Sequence, residues 1–225
     1  MFNDALKSLK EGKPILIFDA DDREGESDMV IASQFITRDI VRTMRKDGGG
    51  LICTTLKYDD ATKFNLPYIE DLYKNCLNMD KSILRSDDLK YDKNSTFSIT
   101  INSRDTFTGI PDIDRAKTIK HLAEFLDKIE KNPDNSSEFG RIFRTPGHIH
   151  LLIANEGYFK NRRGHTELST YMMDSAGLIP SATIVEMLSD SGYSMKMDES
   201  ESYARMHGYS FVTGDEIIEQ WRETQ

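Results

Sequence analysis

A ten-residue segment near the start of the chain carries groups that could bind a metal ion or sugar hydroxyls. It runs from Asp19 to Asp28 and reads Asp-Ala-Asp-Asp-Arg-Glu-Gly-Glu-Ser-Asp, directly after the apolar run Pro14 to Phe18. A buried strand that ends in carboxylates places hard oxygen ligands at the rim of a sheet, where α/β enzymes keep their active sites. We therefore interpret the segment as a metal and substrate loop, although such a stretch taken alone is more often a solvated acidic turn.

A second segment, Arg162 to Glu167, reads Arg-Arg-Gly-His-Thr-Glu and opens a predicted helix. Its His165 could supply an imidazole to a divalent ion, with Glu24 or Glu26 as the oxygen donor. This mixed donor set suits Mg²⁺ or Mn²⁺ better than structural zinc. A histidine taken alone is more often a capping or packing residue, so the metal hypothesis requires the two segments to meet in the fold.

The second segment could also bind phosphate. Arg162, Arg163, Gly164 and the hydroxyl of Thr166 lie at the first turn of the predicted helix, where guanidinium groups and free backbone N–H groups favour an anion. The sequence contains no Walker A motif and no G-x-G-x-x-G, so nucleotide binding lacks support.

A single carboxylate, Glu186, interrupts the apolar run Ala182 to Leu188. A buried carboxylate costs several kcal/mol unless it is paired or its pKa shifts, so a functional role is one explanation. The other is a glutamate at a strand end that reaches water. Two further polar clusters also adjoin predicted strands: Gly48 to Gly50 with Cys53, and Pro146-Gly147-His148.

Composition narrows the class of protein. The net charge is −9 over 225 residues and the pI is near 5.1, which argues against a general nucleic-acid binder. Cys53 and Cys76 are too few and too unpatterned for a disulfide framework and suit a reducing cytosol. The N-terminus lacks a signal-peptide pattern, and no run is long and apolar enough for a membrane span. We expect a cytoplasmic protein that binds neither nucleic acid nor membrane.

The elements that would position these groups alternate between strand and helix. Predicted strands cover 14–18, 29–32, 51–56, 96–102, 147–154, 182–188 and 209–212, and predicted helices lie near 3–11, 37–47, 119–129, 165–176, 199–206 and 215–221. Weak helical patches lie at 60–65 and 69–77, a polar tract follows at 86–88, and residues 132–137 form a predicted loop. No repeat or linker composition divides the chain, so residues 1–225 are predicted to form a single α/β domain (α+β in some schemes) with a mixed sheet flanked by helices.

Taken together, these clusters resemble one family, the 3,4-dihydroxy-2-butanone 4-phosphate synthases of riboflavin biosynthesis. The resemblance rests on an ordered set of segments spread over residues 4 to 220. They are Asp19–Asp28, Gly49–Cys53, Phe97–Thr100, Thr108-Gly109 with Asp114-Arg115, Arg144–His148, Arg162–Glu167, and Glu186 with Asp190 and Gly192. The length is similar to that of the stand-alone form, without a GTP cyclohydrolase II domain. Residues 57–95 show no specific match, and we expect no chemistry from them.

The resemblance implies a lyase that converts D-ribulose 5-phosphate to L-3,4-dihydroxy-2-butanone 4-phosphate and formate. It implies Mg²⁺ or Mn²⁺, two ions per site, no organic cofactor, and a homodimer with its sites near the subunit interface. Carried over by position, the metal ligands are Glu24 and His165, the catalytic group is His148, Glu186, Cys53 and Glu26, and the substrate contacts are Arg23, Asp28, Arg162, Arg163, Gly164, Thr166 and Glu186.

Two alternatives share the same residues. A sugar-phosphate isomerase or aldolase would use the same metal and phosphate groups but lose no carbon as formate. A non-catalytic sugar-phosphate-binding homologue would bind without turnover. The sequence leaves open whether His148 or Glu186 starts the reaction.

Overall fold

The computed structural model describes residues 1–76, 80–84, 92 and 94–225, and within them the strands form one seven-stranded mixed sheet. The strands are β1 (Ile15–Phe18), β2 (Ser27–Ala32), β3 (Cys53–Leu56), β4 (Phe97–Ser103), β5 (Phe143–Ile153), β6 (Ala182–Glu186) and β7 (Ser210–Thr213). Their order across the sheet is β4-β5-β3-β6-β2-β1-β7. The β1–β7 and β3–β5 pairs are parallel and the others are antiparallel. The predicted fold class is confirmed.

Helices cover both faces of the sheet. They are α1 (Phe2–Lys10), α2 (Arg38–Thr43), α3 (Tyr58–Lys63), α4 (Ile69–Lys74), α5 (Asp112–Lys131), α6 (Phe139–Ile142), α7 (His165–Ser175), α8 (Met197–His207) and α9 (Gly214–Glu223). On one face α5 buries an apolar stripe that includes Ile119, Leu122 and Leu126, the spacing that the sequence predicts. On the other face α7 packs Leu168 and Met172 against β1, β2, β3 and β6.

The site lies at one end of this sheet because four central strands begin or end there. β1 leaves the sheet at Phe18, and the chain returns at Ser27, its antiparallel partner. Asp28 of β2 is the register partner of Glu186, the last residue of β6. At the same end β3 begins at Cys53, and its pairing with Ile184 places both side chains on the face that α7 covers. The topology therefore gathers residues that lie far apart in sequence.

Several element boundaries differ from the sequence predictions. β5 begins at Phe143 rather than after Pro146, because an irregular stretch containing the cis Thr145–Pro146 bond interrupts its pairing with β4 without ending it. The helix predicted to Asp47 ends at Thr43 and continues as a π-helical turn to Gly48. Residues 133–138 form a 3₁₀ helix instead of a loop. The polar tract 86–88 lies outside the described residues.

Candidate active site

The loop between β1 and β2 is organised by Asp19, which is buried. Its carboxylate accepts hydrogen bonds from the backbone N–H groups of Glu24 and Glu26, each at 3.0 Å. It also forms an ion pair with the guanidinium of Arg23 at 3.0 Å. A buried carboxylate with this many donors folds the loop back on itself, so the acidic segment is an ordered structure rather than a solvated turn.

The loop meets the start of α7 at a group of possible metal ligands. Within the described residues, oxygen atoms of Asp19 and Glu24 and a nitrogen of His165 lie within 4.8 Å of one another. Glu24 Oε2 is 3.3 Å from His165 Nδ1, and Asp28 Oδ1 is 3.9 Å from the same nitrogen. The structure thus brings together both predicted ligands, Glu24 and His165, and adds Asp19, to which the sequence analysis gave no role of its own.

Charge governs the protonation of this group. Burial disfavours the ionised form of Glu24, but the hydrogen bond with His165 and the charge of Arg23 prevail and lower its pKa to about 2. Burial also acts against a charged His165, yet the Asp28 charge and the Glu24 hydrogen bond raise its pKa. Burial, with the charges of Glu186 and Glu24, raises the pKa of Asp28. Glu24, Asp28 and His165 therefore share a proton among them, and a divalent cation bound to the same atoms would displace it.

Two further buried atoms in the group could contact a ligand. His165 Nε2 and Asp28 Oδ1 are buried and have no hydrogen-bond partner among the described residues. A buried polar atom without a partner costs free energy unless a ligand or ion satisfies it. Oxygen and imidazole donors in this arrangement fit a hard divalent cation.

Two arginines face each other beside this group and share one carboxylate. Arg23 and Arg162 both pair with Asp92, and the Arg162–Asp92 distance is 2.8 Å. Gly164 makes the arrangement possible, because a Cβ there would lie 2.1 Å from Arg162 Nη1 and 2.6 Å from Arg23 Nη2. Two guanidinium groups held this closely are candidates for binding an anion. The sequence predicts no chemistry in residues 57–95, yet Asp92, which lies in that range, pairs with both arginines.

Glu167 holds Arg162 in position. This fully buried carboxylate pairs with Arg162 Nη1 at 2.6 Å and accepts the backbone N–H groups of Asn155 and Gly164. Thr166 is also buried, and its hydroxyl lies 3.0 Å from that of Thr96. The first turn of α7 is therefore fixed by contacts on both sides.

Glu186 occupies the end of β6, opposite Asp28, and is half-buried rather than sealed in the core. The backbone N–H of Leu51 donates to its Oε2 at 2.7 Å, and the N–H of Gly50 donates to its main-chain oxygen at 3.1 Å. Cys53 lies on the same face. Burial, with the charges of Glu186 and Asp28, raises the pKa of the Cys53 thiol, so this cysteine stays neutral.

These residues enclose one cavity of about 340 Å³. The predicted site residues that line it are Arg23, Glu24, Glu26, Asp28, Cys53, Arg162, His165, Thr166 and Glu186. A larger cavity of about 860 Å³ adjoins Lys57 and Lys63, which already pair with Asp174 and Asp60. The candidate metal ligands adjoin the smaller cavity, so we assign the site there.

Three predicted site residues do not line this cavity. Gly164 acts through the space it leaves for the arginines, and Arg163 is exposed and pairs with Asp22 at 3.2 Å. His148 is exposed on β5, two residues before His150, the register partner of Cys53. Within one chain His148 does not line the cavity.

A cavity at one end of the sheet that combines candidate cation ligands with an arginine pair is typical of one class of protein, the α/β enzymes that act on anionic substrates with a divalent cation. Comparison with known proteins narrows the class. The family of 3,4-dihydroxy-2-butanone 4-phosphate synthase matches residues 3–220. The chain belongs to this family, which confirms the resemblance drawn from the motifs, and it is an enzyme of riboflavin biosynthesis.

Individual relatives agree with the family assignment. The chain is 41% identical to the 3,4-dihydroxy-2-butanone 4-phosphate synthase of Methanothermobacter thermautotrophicus, over 99% of this chain and 96% of that protein. It is 42% identical to that of Methanosarcina mazei, over 97% and 90%. A crystal structure of a 3,4-dihydroxy-2-butanone 4-phosphate synthase in complex with two magnesium ions superposes with a TM-score of 0.76, at 25% identity, over 99% and 96% of the two chains.

Among the described residues, no helix has both the length and the hydropathy needed to cross a membrane.

Proposed function

We propose that the chain converts D-ribulose 5-phosphate to L-3,4-dihydroxy-2-butanone 4-phosphate and formate at the cavity described above. The observation that carries the proposal is the meeting of Glu24, His165 and Glu186 with the arginine pair in one cavity, although they lie in distant parts of the sequence. Such a site can hold a sugar phosphate at its anionic end and exchange protons near its carbon chain.

The arginine pair supplies the phosphate end. In our proposal the phosphate takes the place of the Asp92 carboxylate between Arg23 and Arg162, and Thr166 adds a hydroxyl. We also include Arg163 and Gly164 among the proposed substrate-binding residues. Arg163 would contribute positive charge near the phosphate, and Gly164 would contribute its backbone. Bidentate guanidinium contacts to phosphate are strong and directional, which fixes the orientation of the sugar chain.

The carboxylates supply orientation and proton transfer. Glu186 has one oxygen held by the Leu51 N–H and the other available to a carbon-bound proton. Asp28 and Glu26 line the cavity where sugar hydroxyls would lie, and the hydroxyl of Ser194 holds Glu26 by donating to its Oε1. Cys53, as a neutral thiol, contributes shape and exclusion of water rather than a nucleophile.

Glu24 and His165, with Asp19 behind them, would hold Mg²⁺ or Mn²⁺, and we propose two ions per site. When bound, the ions supply Lewis acidity toward the carbonyl and hydroxyl oxygens of the ketose. The support comes from the donor set, from the unsatisfied His165 Nε2, and from the magnesium in the related crystal structure. We propose no organic cofactor.

The position of His148 supports a homodimer with a shared active site. The side chain is exposed and lies outside the cavity of its own chain. Exposed apolar side chains on neighbouring segments include Phe107 and Ile110, which flank the Thr108-Gly109 turn against Asn102, and Phe97, whose ring centroid is 6.0 Å from that of His150. A two-fold dimer through this surface would bury the apolar groups and bring His148 of one chain toward the cavity of the other.

Mixing inactive variants tests the shared site. Purified His148→Ala and Glu186→Ala proteins are each expected to lack activity. After subunit exchange, a shared site predicts recovery of up to about a quarter of wild-type formate production, because half of the dimers are mixed and each mixed dimer has one intact site. No recovery, with subunit exchange verified by mass spectrometry of tagged chains, would exclude sharing of these two groups.

A further inference from the structure

His148 lies in an irregular stretch of β5 that is held by β4. Ile149 pairs with Ile101 and Arg144 pairs with Asn102, so residues 145–148 have no partners in the β4 ladder. Gly147 lies against β4 so closely that a Cβ there would be 1.9 Å from the carbonyl carbon of Ile101. The stretch is nevertheless ordered by side chains, since the N–H of Gly147 donates to Thr100 Oγ1 at 3.0 Å.

Asn102 makes the contacts to His148. Its Oδ1 accepts the backbone N–H of His148 at 2.9 Å, and its Nδ2 lies 3.1 Å from His148 Nδ1. Nδ2 also donates to the carbonyl oxygen of Thr108 at 3.4 Å. The orientation of the amide follows from these backbone partners, because an N–H can meet only the amide oxygen and a carbonyl can meet only the NH₂ group.

The Asn102 side chain has no room to turn. It is buried, and a Cβ at Gly109 would lie 2.2 Å from Nδ2 and 2.4 Å from Oδ1. The Gly109 N–H in turn donates to Asp114 Oδ2 at 2.9 Å, which fixes the turn that covers the amide. The amide therefore presents an N–H donor to the ring of His148.

We infer that Asn102 is a positioning residue that keeps the neutral imidazole of His148 protonated on Nε2. An amide NH₂ is a donor, so the ring nitrogen that faces it, Nδ1, must accept, and the single proton of the neutral ring then lies on Nε2. His121, by contrast, faces the hydroxyl of Ser103 at 2.9 Å, which can donate or accept and sets no tautomer.

This inference rests on the proposed catalytic role of His148. It assigns different proton-transfer roles to His148 and Glu186. An imidazole with hydrogen on Nε2 has no lone pair there, so that nitrogen donates to a substrate oxygen and cannot take a proton from carbon. The first carbon-bound proton then passes to the carboxylate of Glu186, and the C–H electron pair becomes the enediolate. The Nε2–H donates a hydrogen bond to an oxygen of that anion.

Nitrogen NMR of the wild-type protein tests the tautomer directly. The chain has five histidines, so long-range ¹H–¹⁵N spectra of protein labelled with ¹⁵N-histidine are assignable by substitution, with His148→Gln identifying the relevant ring. The spectra are recorded at about pH 8.5, roughly two units above the pKa of an ordinary free imidazole, where the tautomer of a neutral ring is read from its two nitrogen shifts. We expect a protonated Nε2 and an unprotonated Nδ1 for His148. A protonated Nδ1, or an even mixture of the two forms, would overturn the inference.

Substitution of Asn102 tests the consequence. In Asn102→Asp the carboxylate accepts from Nδ1–H, so the proton should move to Nδ1 and kcat should fall by about 10²-fold with a much smaller change in KM. The matched control is Ser103→Ala, the next residue of β4, which contacts His121 and should leave the His148 spectrum and kcat unchanged. An Asn102→Asp enzyme with the reversed tautomer and full kcat would overturn the catalytic part.

The inference and the proposed function can fail separately. Wild-type protein that makes no formate but has protonated Nε2 would contradict the proposed function and leave the role of Asn102 in place. Formate production by a protein whose His148 is protonated on Nδ1 would support the proposed function and contradict the role of Asn102.

Discussion

Gly50 and Glu186 are in direct contact: a Cβ on Gly50 would lie 2.2 Å from Oε2 and 2.9 Å from the main-chain oxygen of Glu186. Gly50 therefore leaves the space that the Glu186 side chain occupies, whereas Gly48 leaves room for Val185, whose Cγ1 would lie 2.7 Å from a Cβ there. The hydrogen bond from Leu51 then fixes that side chain.

The first prediction concerns this contact. Gly50→Ala should displace the Glu186 carboxylate and lower kcat by about tenfold or more, because small misplacements of a proton-transfer group are costly. The matched control is Gly140→Ala in α6, where a Cβ would meet nothing within 4 Å. Steady-state kinetics of both variants test the prediction. An unchanged kcat for Gly50→Ala would show that the position of the Glu186 carboxylate does not require a glycine at residue 50.

The second prediction concerns the anchor of Arg162. Glu167→Gln replaces two accepting oxygens with one and removes one of the two carboxylate charges that pair with Arg162, the other being Asp92, so we expect a loss of about 1–3 kcal/mol in the free energy of unfolding. We also expect a raised KM for the phosphorylated substrate. Glu219→Gln makes the same chemical change on the exposed side of α9 and should alter neither quantity. Equal KM values for Glu167→Gln and wild type would argue against Arg162 as a phosphate ligand.

The third prediction concerns the two free cysteines. Cys53 is buried with a raised thiol pKa, whereas Cys76 is exposed. Under native conditions a thiol reagent should therefore modify one cysteine per chain, and none in Cys76→Ser. Unfolding in denaturant should expose the second thiol of the wild type. Rapid native labelling of Cys53 would contradict the neutral, enclosed thiol described here.

The fourth prediction concerns the candidate metal ligands. Chelation with EDTA should abolish activity and magnesium should restore it. Glu24→Gln should lower kcat by at least about 10²-fold while the protein stays folded, since the Glu24 side chain lies at the cavity rather than in the core. Asp21→Asn, an exposed acid of the same loop, is the control. Full activity of Glu24→Gln would contradict metal binding by Glu24, and activity that survives EDTA would show that the reaction needs no metal ion.

Sequence patterns were sufficient for the parts of the site that lie at the ends of regular elements. Glu24, His165 and Glu186 each adjoin a periodic or apolar run, so their placement followed from strand and helix boundaries. Asp19 had the same signal, as the first residue after β1, but its buried hydrogen bonds to the loop backbone could not be read from its type.

Other parts depend on long-range contacts that no local pattern encodes. Asp92 lies in a polar stretch without periodicity, and only the fold brings it to Arg23 and Arg162. In the sequence Asn102 is only the last residue of the predicted alternating strand 96–102, and its role follows from the Gly109 turn and His148, which contact its amide in the fold. The early start of β5 was hidden by Pro146, which usually marks a strand end but here lies within an irregular stretch.

The central claim is that this cavity cleaves a pentose phosphate. The most direct measurement incubates the purified protein with D-ribulose 5-phosphate and Mg²⁺ and quantifies formate and the four-carbon phosphate together. We predict that one formate and one 3,4-dihydroxy-2-butanone 4-phosphate appear for each substrate consumed, and that neither forms with EDTA. Consumption of substrate to another pentose phosphate without formate, or no consumption at all, would contradict the account.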